Sequence, residues 1–138
     1  MSEPSLTLLA ISDLHYTGLA RQTAQQPQVR GELAQTLLKK VFLRLTHMGV
    51  KPDLTLLLGD MVEDGEDRNA QLDLISLHGE LTRSGTPWLA IPGNHDGDTA
   101  SFNELFGSQP GLHEINGYGI LLFTDSYNEA HECVRSED

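Results

Sequence analysis

The chain has 138 residues, 38% of them hydrophobic, and sets 9 Lys and Arg against 20 Asp and Glu for a formal net charge of −11. That length bounds it to one domain with room for a buried core, and so acidic a surface argues against binding a nucleic-acid polymer through its phosphates. A lone cysteine, Cys133, excludes an intrachain disulfide and a cysteine-rich zinc site.

Met1-Ser2-Glu3-Pro4 carries no basic n-region, and no apolar run nears membrane-spanning length, so a cytoplasmic location without a membrane partner is expected. Leu6 to Ile11 is a nearly continuous apolar run that stops at Ser12-Asp13-Leu14-His15. Continuous apolarity predicts a strand covered on both faces. The polar, glutamine-rich stretch from Thr17 to Arg30 contains Pro27 and reads as a loop. From Glu32 to Met48, Leu33, Leu37, Leu38, Val41, Leu45 and Met48 recur at helical spacing, with Gly49 as the stop. Leu54 to Leu58 is a second buried strand that breaks at Gly59-Asp60. A second helix is predicted over 68–83, with Leu72, Ile75 and Leu81 on its apolar face. Trp88 to Ile91 forms a third strand, ended by Pro92-Gly93 and followed by Asn94-His95-Asp96. Thr99 or Ser101 is expected to cap a short helix bearing Phe102, Leu105 and Phe106. Leu112–Ile115 and Tyr118–Phe123 flank Asn116-Gly117, a strong hairpin signal. From Asp125 onward the sequence is polar and predicts no clear element.

Strands alternating with helices imply an α/β fold, a parallel-sheet βαβαβ core followed by a hairpin. The carboxyl ends of parallel strands lie on one edge, where ligands bind. Asp13 with His15, Asp60, and Asn94 with His95 would then converge from distant parts of the chain. If the backbone stays extended through residue 15, Asp13 and His15 project the same way and offer one cation an oxygen and a nitrogen. Asp60 has two oxygens with which to bridge two cations, and the amide of Asn94 ligates a hard cation without adding charge. His95, pointing away from its neighbour, is suited to hold a substrate oxygen and donate a proton. Glu63 could accept the other ring N–H of His95 and fix its tautomer. Taken singly, each cluster reads equally well as a turn-forming polar segment; it is their joint occurrence at three strand ends that points to chemistry.

Asp13-Leu14-His15, Gly59-Asp60-Met61-Val62-Glu63 and Gly93-Asn94-His95-Asp96 together resemble the calcineurin-like metallophosphoesterases. The nearest branch is that of the class III cyclic-nucleotide phosphodiesterases. The resemblance implies two divalent ions (Mn, Fe or Zn), held by Asp13, His15, Asp60 and Asn94, with Asp60 bridging. It implies that His95 contacts the phosphoryl oxygens or protonates the leaving group, supported by Glu63. The implied reaction is phosphoester hydrolysis by activated water, on a small substrate such as a cyclic nucleotide. Position 64 is Asp, where protein Ser/Thr phosphatases carry an arginine, which turns the resemblance away from that branch. Thr124-Asp125-Ser126 with His131 downstream also resembles the phosphodiesterase branch.

The family's later ligand motifs, a lone histidine after a further strand and a Gly-His-x-His pair, do not occur in this sequence. His47 and His78 fall on predicted helices, His113 opens the hairpin, and His131 lies near the end. Residues 1–138 are thus expected to correspond to the first half of a four-layer α/β/β/α sandwich, a single truncated domain. One sheet face is then expected to lack its partner layer, to be covered by a second copy or by a missing carboxyl-terminal half. A catalytically incomplete remnant, serving as a metal-binding or protein-interaction module, is the alternative reading.

Overall fold

A computed structural model describes residues 5–18, 30–107, 110–127 and 133–135. Strand β1 (Leu8–Ile11) pairs in parallel with β2 (Leu54–Leu58), and β2 with β3 (Trp88–Ile91). The registers Ile11↔Leu57 and Leu58↔Ile91 bring the three carboxyl ends to one edge, as the strand–helix alternation predicts.

Helices α1 (Ala34–His47), led by a 3-10 turn at Gly31–Leu33, and α2 (Ala70–Ser84) cross between the strands. Helix α3 (Thr99–Phe106) follows β3. All three pack on one sheet face around Leu38, Leu57, Leu74, Leu77, Leu81, Ala90, Phe102 and Phe106. The buried stripes match those predicted only in part, at Leu38 and Leu81. In α1 the inward residues are Ala34 and Leu38, supported by Phe42, while Leu33, Leu37, Val41 and Met48 are exposed. In α2, Leu74, Leu77 and Leu81 face inward, and Leu72 and Ile75 stay in solvent. The reason is a polar seam between the helices. Buried Glu80 accepts from Gln35 at 3.0 Å, pairs with Lys39 at 3.0 Å and accepts from Arg83 at 2.7 Å. That seam turns Gln35 and Lys39 toward α2, and the apolar stripes rotate with them.

The other sheet face carries a second cluster, in which Leu54 and Leu89 meet Leu122, with Leu56, Ile91, Ile115 and Ile120 around them. Here the hairpin β4 (Gly111–Ile115) and β5 (Tyr118–Leu122) lies against β2 and β3, turning at Asn116-Gly117 as expected. It does not extend over β1. Leu8 and Ala10 are exposed, so cover on both faces holds for β2 and β3 but not for β1.

Two further expectations are corrected. Asp98, not Thr99 or Ser101, caps α3, its carboxylate accepting from Ser101 N at 2.8 Å. The polar tail also holds an antiparallel pair, β6 (Asp125–Tyr127) with β7 (Cys133–Arg135). Cross-strand backbone pairing joins the two, and no apolar periodicity announces it. Residues 19–29 of the predicted loop, and His131, lie outside the described residues. No described helix is long and apolar enough to cross a membrane.

Candidate metal centre

Beyond the last strand residues the three loops continue to pair. Asp13 N donates to Gly59 O at 3.1 Å, His15 N to Asp60 O at 2.9 Å and Tyr16 N to Met61 O at 2.9 Å. The first loop is thereby zipped onto the second. The path is not extended, as the sequence reading supposed: φ is 54° at Asp13, 44° at His15 and 52° at Asp60. Each such left-handed residue costs on the order of 1–3 kcal/mol and is kept only where its surroundings hold it. Even so, the two side chains meet, His15 Nε2 lying 3.9 Å from Asp13 Oδ1.

The third loop is locked to the second by close backbone approach. A Cβ on Gly59 would stand 2.9 Å from Gly93 N and Cα, and one on Gly93 would stand 2.1 Å from Asp60 Oδ1. Only glycine fits at either place. His95 N then donates to Asp60 Oδ1 at 3.1 Å, and Gly65 N to His95 O at 2.7 Å.

Buried Asp96 is the residue that sequence reasoning left without a role. Its Oδ1 accepts from Met61 N at 2.7 Å and Val62 N at 3.0 Å, and its Oδ2 from Gly93 N at 2.8 Å. It clasps the loops carrying Asp60 and Asn94 together. Burial pushes its carboxyl above the usual aspartate range, against these three N–H groups, and the charge of Asp60 adds to the rise. A carboxylate directly after Asn-His, in a loop too short to leave the core, was the available signal.

The site residues therefore converge. Ligand atoms of Asp13, His15 and Asp60 lie within 4.8 Å of one another, as do those of His15, Glu63 and His95. The rings of His15 and His95 meet edge to face at 4.8 Å between centroids, so His95 turns into the site. Asn94 is exposed on the same rim, between Gly93, which abuts Asp60, and His95. Glu63 departs from its predicted contact. Its main-chain carbonyl, not its carboxylate, meets His95 Nδ1 at 2.6 Å, and the carboxylate lies 3.0 Å from His15 Nδ1.

This donor set fits a divalent cation. It combines imidazole nitrogen with carboxylate oxygen, donors that divalent metal ions take together. Among the described residues both oxygens of the buried Glu63 carboxylate lack an aligned hydrogen-bond partner, and no Lys or Arg pairs with Asp13, Asp60 or Glu63. Such uncompensated negative charge favours a bound cation.

Residues 6–135 match the family model of the calcineurin-like phosphoesterases. The chain belongs to that family. Among curated relatives of this calcineurin-like phosphoesterase is a probable cyclic nucleotide phosphodiesterase of Moraxella catarrhalis, 35% identical over 92 residues, which are 67% of this chain and 28% of that protein. Another, from a Synechococcus strain and likewise named a probable cyclic nucleotide phosphodiesterase, is 32% identical over 127 residues, 89% of this chain and 45% of the relative. The chain thus spans less than half the length of either relative. A solved dimetal phosphatase from Danio rerio shares the fold, with a TM-score of 0.52 at 23% identity over 68% of this chain and 31% of that one.

Proposed function

We propose that this chain carries the metal-binding part of a phosphoester hydrolase acting on small phosphodiesters, cyclic nucleotides among them. The observation behind this reading is the convergence of Asp13, His15 and Asp60 within 4.8 Å at the strand ends. The names of the two curated relatives support the substrate class.

In this reading Asp13, His15, Asp60 and Asn94 hold two divalent ions, drawn from Mn, Fe and Zn. Bound there, such ions supply Lewis acidity, lowering the pKa of water and offsetting charge on phosphoryl oxygens. Asp60 would help hold both ions, and one of its oxygens accepts from His95 N. His95 gives its Nδ1–H to the Glu63 carbonyl, which leaves Nε2 facing the substrate. From the imidazolium, Nε2–H donates to a phosphoryl oxygen and passes its proton to the departing alkoxide. The left-handed turns at residues 13, 15 and 60 keep these groups in place before substrate arrives. The reading places the protein in the cytoplasm, with a second copy or further chain over the exposed Leu8 and Leu58.

Hydrolysis of bis-p-nitrophenyl phosphate with added manganese, with and without chelator, tests the reading. Asp60→Ala is expected to abolish turnover, and His95→Ala to lower it by about 100-fold or more while leaving most metal binding intact. Equal rates with and without chelator would overturn it.

A further inference from the structure

We propose that Glu63 is the positioning residue for both imidazoles of the site. Its carboxylate serves His15 and its main-chain carbonyl serves His95, so that each ring presents Nε2 to the reaction space. This deepens the metal-centre reading, on which its relevance to cation binding rests.

The geometry divides the two acceptors cleanly. Glu63 Oε2 lies 3.0 Å from His15 Nδ1, while Glu63 O lies 2.6 Å from His95 Nδ1. The His15 contact is off the N–H axis and falls short of an aligned hydrogen bond. Yet His15 Nδ1 and both Glu63 carboxylate oxygens are buried and, among the described residues, have no other hydrogen-bond partner. Buried donors and acceptors in a folded protein find partners, and Nδ1 and Oε2 already lie 3.0 Å apart. A small turn of the imidazole ring aligns the pair. His15 Nε2, on the far side of that ring, faces Asp13. A carboxylate behind a metal-facing imidazole fixes its tautomer and raises its basicity.

Glu63 can serve both rings because its backbone is held from two sides. Its N donates to Tyr16 O at 3.3 Å, one residue past His15, and the next loop returns through Gly65 N to His95 O at 2.7 Å. Side-chain substitution therefore separates the two contacts: it removes the partner of His15 and leaves that of His95.

Histidine tautomers read by long-range proton–nitrogen NMR of the metal-free chain, under mildly alkaline conditions, test this without any turnover. In the wild-type chain both His15 and His95 are expected as the Nδ1–H form. In Glu63→Met, His15 shifts toward Nε2–H and His95 does not change. Zinc affinity by calorimetry falls about 10–100-fold in that variant. Glu63→Gln, whose amide oxygen still accepts, is expected to keep the His15 tautomer and lose little zinc affinity. An Nε2–H form of His15 in the wild type overturns the proposal. So does a change at His95 in Glu63→Met, or a zinc loss in Glu63→Gln equal to that in Glu63→Met, which would make the carboxylate itself a ligand. Should Glu63→Met fail to fold, the wild-type tautomers and Glu63→Gln decide. Expected tautomers in a chain that binds no zinc would sink the metal-centre reading and leave the division of acceptors standing.

Discussion

Two regions of the same three strands are built to different tolerances. At the carboxyl rim, loops meet backbone to backbone, with Gly59 against Gly93 and Asp96 clasping three N–H groups. On the sheet face away from the helices, β2 and β3 carry a small apolar cluster under a hairpin, while Leu8, Ala10 and Leu58 are exposed. Hydrophobic burial is non-directional and accepts approximate cover. Ligand placement is directional, and an error of about one ångström at the rim would part the donors proposed to share an ion. The chain therefore concentrates its left-handed residues and forced glycines where the polar groups converge.

Substitutions can break that contrast. The broadest effect, on both stability and metal binding, is expected from Gly93→Ala, because the added carbon would stand 2.5 Å from Asp60 N and the rim has no slack. Loss of stability by about 3 kcal/mol, measured in urea, and loss of metal binding by calorimetry are expected together. Neighbouring residues of β2 sharpen the comparison of the two faces. Leu57, 0% exposed in the helix-side core, should lose about 2–5 kcal/mol on substitution by Ala. Leu58→Ala, at a side chain 47% exposed, should stay within about 0.5 kcal/mol. A large loss at Leu58 in dilute protein would mean that this face is covered in solution.

The smallest effect lies far from both regions, at the cap of α3. Asp98 accepts from Ser101 N and from its hydroxyl, which hold its carboxyl below the usual aspartate range. Because the folded form binds its proton less tightly than the unfolded chain, its stabilisation is present above the unfolded pKa. It is lost as pH falls through the folded pKa. Asp98→Ala should therefore lower the melting temperature slightly at neutral pH, and the deficit should vanish in acid.

Much of the rim was legible in one dimension. Asp13, His15, Asp60, Asn94 and His95 each follow an apolar run at once, and parallel pairing puts the ends of such runs on one edge. Asp96 was not legible as a clasp, since its three partners lie in other turns. The destination of the Glu63 carboxylate was hidden for the same reason: spacing along the second loop says nothing of which histidine stands above it.

The helices illustrate the same boundary. Sequence by itself determined that helices lie over about 32–48 and 68–83, within two residues of those observed, that the strands are parallel and buried toward those helices, and that polar turns punctuate them. These are properties of local periodicity, which each segment carries within itself. Which apolar stripe turns inward was decided only in three dimensions. Leu37 and Val41 compete with Leu38 and Phe42 on one helix, and the Gln35–Glu80–Lys39 seam with a neighbouring helix settles the rotation. Contacts between distant segments have no periodicity to announce them, so packing and polar pairing select among faces that the pattern alone leaves equivalent.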